Sequence, residues 1–145
     1  MTTGNGALRF ELKSDLAEMS TLAEQLETFC EQNGIGPEIV SVVNLALEEV
    51  VTNIISYGYG EAPGDHRIRI DLKHDGRDLT ARIEDDAVAF DPLTKEDPDL
   101  DAPLEERRIG GLGIHLVKTL MDEVTYSRER NHNVLFIRKS TAASA

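Results

Sequence analysis

Ile68-Arg-Ile-Asp-Leu-Lys-His-Asp-Gly-Arg-Asp-Leu-Thr-Ala-Arg-Ile-Glu-Asp85 is the stretch that decides the fold of this chain. Apolar and polar residues alternate on both sides of Asp75-Gly76, a dipeptide that favours tight turns, so the stretch predicts a β-hairpin with one apolar face. The same alternation places Asp85 on the apolar face and Asp86 on the other. A carboxylate turned toward a core needs a hydrogen-bond donor, which makes Asp85 a candidate ligand-binding residue. The alternative is that the strand ends at Glu84 and Asp85 lies in a polar turn.

The residues before this hairpin predict one strand and two helices. Apolar residues alternate from 8 to 12, which indicates a half-buried strand. Helical spacing follows from about residue 16, behind a candidate cap at Asp15, until Asn33-Gly34 interrupts it. Pro37 suits the first turn of a second helix, whose apolar stripe we expect to end near Gly58 or Gly60.

The residues after the hairpin predict a lid, a third helix and a second hairpin. Residues 87–109 carry three prolines and many acids without a regular period, and we predict a lid there. A short helix follows from Gly113 to Met121. Two alternating stretches then flank Asn131-His-Asn133, whose asparagines tolerate left-handed turn conformations. The predicted fold is an α+β two-layer sandwich, a largely antiparallel mixed sheet covered on one face by three helices.

Composition restricts the class of protein. A chain of 145 residues with 40% hydrophobic and 29% charged residues predicts one soluble domain over 1–145, with its core at about 8–139. The net charge of −12 argues against direct binding of nucleic acid. Cys30 has no partner cysteine and is expected in the core, and the histidines lack zinc-ligand spacing. Without a leader-like start or a bilayer-length uncharged run, we expect a cytoplasmic protein that does not enter a membrane.

Glu49 and Asn53 form the first chemical motif, four residues apart in the second helix. Their side chains therefore leave the same face one turn apart, beside the apolar stripe, where a helix can line a cavity. An amide oxygen can enter the shell of Mg²⁺, and a nearby carboxylate can orient or deprotonate a hydroxyl. A solvated hydrogen-bonded pair is the alternative. Glu48 points about 100° away from Glu49, so the two cannot share this role.

The second chemical motif is Gly110-Gly-Leu-Gly113, at the start of the third helix. Backbone without side chains admits a ligand, and free amides at a helix start favour a phosphate. The alternative is that these glycines only form a turn before the helix, where glycine is common. Lys118 and the pair Arg107-Arg108 are candidates to neutralise phosphates. Their alternatives are a solvated lysine and arginines that balance Glu105 and Glu106.

Together these motifs resemble the GHKL ATPase superfamily, which has the Bergerat ATP-binding fold, and within it the anti-sigma-factor serine/threonine protein kinases. The resemblance runs from about Leu8 to Lys139 and implies a catalytic base at Glu49, a Mg²⁺ ligand at Asn53 and an adenine-binding carboxylate at Asp85. The remaining nucleotide contacts that it implies are Ala87, Phe90, Gly111, Leu112, Gly113 and Ile114, and Arg108 is added as a candidate contact from its position at the end of the predicted lid. Phe90-Asp91-Pro92 looks like the branch that contains these kinases.

Ala87 departs from the family pattern, which usually has glycine two residues after the aspartate. If this backbone must adopt a positive φ or approach the purine closely, the methyl group costs about 1 kcal/mol and weakens ATP binding without excluding it.

The resemblance implies a kinase that uses ATP and Mg²⁺, phosphorylates an anti-sigma-factor antagonist and sequesters a sigma factor, and it implies a homodimer. Two other hypotheses remain open. One is a nucleotide-binding regulatory module that sequesters a partner protein without phosphoryl transfer. The other is a relay domain of the sensor histidine kinase type, which is disfavoured because no dimerising helix with a phosphoacceptor histidine is seen before residue 8.

Overall fold

The computed structural model describes residues 6–59, 66–87, 89 and 109–141. The strands and helices are, in chain order, β1 (Gly6–Lys13), a 3₁₀ turn (Leu16–Glu18), α1 (Met19–Gln32), α2 (Pro37–Asn53), a π-helical segment (Ile54–Tyr59), β2 (Arg67–His74), β3 (Asp78–Asp85), α3 (Ile109–Leu120), β4 (Glu123–Glu129) and β5 (His132–Ser140). Most of the lid predicted over 87–109 therefore lies outside the described residues.

The five strands form one sheet in the order β1-β2-β3-β5-β4, and each neighbouring pair is antiparallel. The predicted two-layer α+β fold is confirmed, and these five strands contain no parallel pair. In β3 the residues Leu79, Ala81, Ile83 and Asp85 are buried, while those between them are partly exposed. The strand therefore includes Asp85, as its alternation predicts, and does not end at Glu84.

The three helices lie over one face of the sheet and close the core. Helix α2 packs between α1 and α3, and its buried residues belong to the same hydrophobic cluster as the inner residues of the sheet. Cys30 of α1 is fully buried in this cluster, and burial raises the pKa of its thiol to about 11. As an inert core residue, it needs no functional explanation.

The stretch 37–56 is long and apolar enough to cross a membrane by length and composition, with a mean hydropathy of 1.5. It contains α2, whose residues Val43, Ala46, Leu47, Val50 and Val51 are buried inside the domain. A core helix meets the same criteria as a membrane helix, and these five buried residues place one stripe of α2 in the core of the domain.

The other face of the sheet carries charged side chains that pair across the strands. Asp71 contacts Arg9 and lies 4.0 Å from Arg82, and Arg82 also pairs with Glu84 and with Glu129 at 3.2 Å. The network links β1 to β4 through the middle of the sheet. This face is therefore largely polar, although Val134 and Phe136 also lie on it, opposite Glu84 and Arg82 in the register of β3 and β5. Most apolar residues of the sheet point toward the helices.

Local signals set several of the helix ends. Asp15 caps the first turn by accepting a hydrogen bond from the amide of Ala17 at 2.9 Å. Helix α1 ends before Gly34, which has φ of 68°, and Pro37 begins α2. The predicted end of the second helix near Gly58 falls within the π-helical segment, whose wider turn was not predicted.

Two details of the prediction were wrong. Helix α3 begins at Ile109, so Gly110, Gly111 and Gly113 lie in its first turns and do not form a turn before it. Helix α3 packs against α2, and tertiary packing can outweigh the low helix propensity of glycine. Asn133 is a strand residue of β5 and not a turn residue. The turn is made by Arg130 and Asn131, whose φ angles are 51° and 66°.

Candidate functional site

Asp85 is a buried carboxylate at the end of β3, on the side of the sheet that faces the helices, and only 5% of its surface is exposed. Its Oδ1 accepts hydrogen bonds from the amide of Ala87 at 2.9 Å and from Nδ2 of Asn133 at 3.0 Å. Burial raises the pKa of Asp85, and these two hydrogen bonds oppose that increase. The carboxylate is held in one orientation by donors from β5 and from the residues after β3.

The other oxygen of this carboxylate has a different environment. Within the described part of the chain, both hydrogen bonds to Asp85 end on Oδ1. Oδ2 is thus left as an acceptor for a donor that these residues do not supply. An open acceptor atom on a buried carboxylate fits an N–H group of a ligand.

Ala87, at the position where the resembling family usually has glycine, does not adopt a left-handed conformation. The non-glycine residues with positive φ in the described chain are Arg130 and Asn131. Ala87 is 5% exposed and joins the hydrophobic core. Its methyl group therefore causes no backbone strain of the kind that would disfavour alanine.

Glu49 and Asn53 lie in the last two turns of α2, and both side chains are partly buried. Among the described residues neither takes part in a side-chain hydrogen bond or an ion pair. Ala46 lies on the same face and is fully buried, which shows that this second face of the helix is covered. Glu48 differs from its neighbour because it accepts a hydrogen bond from Asn44 at 3.3 Å. The two groups predicted to act are therefore available to a ligand, whereas Glu48 is engaged.

A π-helical segment follows Asn53 directly. Such segments are rare and often occur at functional sites, because the wider turn changes the direction of side chains and frees backbone groups. The sequence pattern gave no sign of this segment, since its residues continue the apolar spacing of α2.

The structure describes some of the remaining predicted nucleotide contacts and not others. The backbone of Gly111, Leu112, Gly113 and Ile114 lies in the first turns of α3, which packs against α2. Phe90, Arg107 and Arg108 lie outside the described residues. The structure thus places Asp85 on the inner face of the sheet, and Glu49, Asn53 and the glycine-rich helix start in the layer that covers it.

Sequence reasoning missed one residue of this site. Asn133 is buried and stands opposite Asp85 in the register of β3 and β5. The alternation of β5 could have found it, because Leu135 and Ile137 are core residues and Asn133 shares their face. Its position beside the predicted turn concealed this pattern.

Fold and candidate site together define a class of protein: a two-layer α+β domain with candidate ligand-binding groups between the inner face of its sheet and a covering helix. Residues 12–139 match the family described as histidine kinase-like ATPase domain. The chain belongs to this family of ATPase domains.

Curated relatives carry the name serine-protein kinase RsbW. The one from Listeria monocytogenes is 27% identical over 129 residues, which cover 86% of this chain and 81% of the relative. One from Bacillus cereus is 29% identical over 111 residues, which cover 74% and 68%. The predicted resemblance to the serine kinases of this superfamily is therefore confirmed.

Solved structures share the fold. A Mycobacterium tuberculosis structure of RsbU and RsbW domains superposes with a TM-score of 0.65 at 13% identity, covering 95% of this chain and 33% of that one. The histidine kinase AdeS of Acinetobacter baumannii gives a TM-score of 0.51 at 14% identity, covering 92% and 68%. At these identities the comparison shows the fold alone, and this chain spans only a third of the M. tuberculosis chain.

Proposed function

We propose that this protein is an ATP-dependent serine protein kinase that acts as an anti-sigma factor, phosphorylating an anti-sigma-factor antagonist and sequestering a sigma factor. The observation that carries the proposal is the partly buried Glu49, one turn from Asn53 on the helix that covers the inner face of the sheet. Its carboxylate has no side-chain hydrogen bond or ion pair with any residue that the structure describes. The shared family and the RsbW relatives support the same reaction.

The groups of the site fit an adenine nucleotide. Oδ2 of Asp85 is an acceptor suited to the exocyclic amino group of adenine, and the apolar side chains around it suit the faces of the ring. The amide oxygen of Asn53 is a hard ligand suited to Mg²⁺, which would neutralise charge on the phosphate oxygens. The first turns of α3 offer backbone amides to phosphates.

Glu49 has the chemical role in this proposal. Its carboxylate accepts the proton of the incoming serine hydroxyl as the serine oxygen attacks the terminal phosphorus, and the bond from that phosphorus to the bridging oxygen breaks, so that ADP leaves. Phe90, Arg108, Gly111, Leu112, Gly113 and Ile114 remain predicted nucleotide contacts. Arg108 would add positive charge at the terminal phosphate.

The proposal includes an oligomeric state, a location and a choice of partners. We expect a homodimer that works in the cytoplasm and binds its protein partners without direct contact to nucleic acid or membrane. The net charge of −12 supports the exclusion of nucleic acid, and the burial of α2 within the domain supports the exclusion of a membrane.

The test is phosphoryl transfer from labelled ATP, with Mg²⁺, to candidate antagonist proteins encoded near the gene. Glu49→Gln should lower the transfer rate by about 10²- to 10⁴-fold, the usual contribution of a general base, while nucleotide binding is retained. Glu48→Gln is the matched control, since Glu48 is the adjacent carboxylate and is bonded to Asn44.

Transfer that is unchanged by Glu49→Gln would contradict the assignment of the base. Nucleotide binding by the wild-type protein without transfer to any antagonist would favour the regulatory module over the kinase.

A further inference from the structure

Asn133 links the two ends of the segment from Asp85 to Ala87 that follows β3. Its Nδ2 donates to Oδ1 of Asp85 at 3.0 Å and to the carbonyl oxygen of Ala87 at 3.4 Å. The residue is 8% exposed and is the direct partner of Asp85 in the pairing of β3 with β5. One amide group therefore holds both the carboxylate and the backbone that follows it.

The orientation of this amide is set by β4. Tyr126 donates its hydroxyl to Oδ1 of Asn133, and Nη1 of Arg128 donates to the same oxygen at 3.1 Å and to the carbonyl oxygen of Ala87 at 3.0 Å. A guanidinium has no acceptor, so the atom of Asn133 that faces Arg128 must be the oxygen. The nitrogen must then face Asp85, and a flipped amide would place two donors against each other.

We propose that Asn133, oriented by Tyr126 and Arg128, is a positioning residue that sets base specificity by holding Asp85 as an acceptor with only Oδ2 open to the ligand. The inference rests on the proposed binding of ATP at this site. An ionised carboxylate accepts from the amino group at C6 of adenine and repels the carbonyl oxygen that hypoxanthine carries at the same position. A protonated carboxyl group can donate to that carbonyl oxygen, and the discrimination is then lost.

The charges around Asp85 determine how strongly the discrimination between adenine and hypoxanthine depends on Asn133. Burial raises the pKa of Asp85, Asp86 raises it further, and Asn133, the amide of Ala87 and Arg128 lower it. Oδ1 of Asp86 is in turn 3.6 Å from Nδ1 of His66. The residue that pairs with Asp85 on β2 is the apolar Ile68. Loss of the Asn133 donor removes one of the few groups that keep this carboxylate ionised.

The experiment compares the binding of Mg-ATP and Mg-ITP by calorimetry to the full chain, because inosine triphosphate differs from ATP at C6 of the base. The wild-type protein should prefer ATP. Asn133→Leu should weaken ATP binding about tenfold, since a hydrogen bond to a charged group is lost, and should change ITP binding much less. The ratio of the two affinities should therefore fall.

A second readout is the pH profile of ATP binding. Affinity should fall as the pH is lowered and Asp85 takes up a proton, and in Asn133→Leu this fall should begin at higher pH. Tyr126→Phe removes only the hydroxyl that orients the amide and should change selectivity in the same direction by a smaller factor. Asn44→Leu, at an amide on α2 that is bonded to Glu48, is the matched control and should leave the ratio unchanged.

If Asn133→Leu leaves the ratio of ATP affinity to ITP affinity unchanged, whether or not both affinities fall, the proposal is overturned and Asn133 is a merely structural residue. If Asn133→Leu does not fold, Tyr126→Phe decides, and wild-type selectivity in that variant overturns the proposal. Wild-type protein that binds neither nucleotide would overturn the proposed function as well. Wild-type binding and phosphoryl transfer with selectivity that does not depend on Asn133 would overturn this inference alone.

Discussion

At the scale of single residues, Asp85 combines a cost to stability with a proposed role in binding. Burial raises its pKa in the folded protein. The stability that it contributes is therefore present below its unfolded pKa and is lost as the pH rises through the folded pKa. At neutral pH the ligand-free protein carries a buried negative charge, and Oδ2 of Asp85 accepts no hydrogen bond from the described residues. Such a group lowers the stability of the folded protein, which is a common property of binding sites.

Asp85→Asn should therefore have opposite effects on stability and on binding. At neutral pH the ligand-free variant should melt at a higher temperature than the wild type, and the difference should disappear below the pH at which an ordinary aspartate titrates. ATP affinity should fall by about 10- to 100-fold, because a charged acceptor is lost. Thermal melts at two pH values and calorimetry check both statements.

Asp86→Asn is the control for this prediction. Asp86 is the next carboxylate in the chain, its side chain is 51% exposed, and it is not oriented toward the core. Its replacement should leave ATP affinity nearly unchanged. A loss of affinity as large as that of Asp85→Asn would mean that the adenine contact has been assigned to the wrong residue.

At the scale of elements, the connection between α1 and α2 depends on backbone conformation at one glycine. Gly34 has φ of 68°, and a Cβ atom built there meets no atom within 4 Å. Gly34→Ala should therefore lower the free energy of unfolding by about 1–2 kcal/mol through the left-handed conformation alone. Chemical denaturation of the two proteins measures this difference.

Gly36→Ala is the matched comparison two residues further on. Gly36 has φ of −70°, and a Cβ atom there also meets nothing within 4 Å. Alanine should cost less there than at Gly34, because only the N-cap preference of the first turn of α2 is affected. Equal costs at the two positions would show that the sign of φ is not the cause.

At the scale of the whole molecule, a ligand held between the two layers should stabilise both of them together. Mg-ATP at about 100 times its dissociation constant should add about 2.7 kcal/mol to the free energy of unfolding. For a domain of this size the melting temperature should then rise by on the order of 5–10 °C. Differential scanning calorimetry with increasing Mg-ATP measures this shift.

Mg²⁺ without nucleotide is the control for the thermal shift, because a chain with a net charge of −12 attracts cations nonspecifically. Asp85→Asn provides a second control and should show a much smaller shift with Mg-ATP. A wild-type melting temperature that does not change with nucleotide would contradict ATP binding in the native state.

Local patterns predicted much of this architecture. The alternation of β2 and β3, with Asp75-Gly76 between them, predicted an antiparallel hairpin and the inward direction of Asp85. The spacing of Glu49 and Asn53 predicted one helix face. These properties follow from the two-residue and 3.6-residue periods of strands and helices, which neighbouring residues determine without the rest of the fold.

The sequence by itself therefore determined the two layers, the face on which each candidate residue lies and the family to which the motifs point. Only the tertiary structure decided what surrounds those residues. Asp85 and Asn133 are 48 residues apart, and their hydrogen bond depends on the register of β3 with β5. Helix α3, which begins at Ile109, likewise packs against the distant α2. Contacts between distant segments set both features, because hydrogen-bond partners and buried surfaces are chosen by proximity in space and not along the chain.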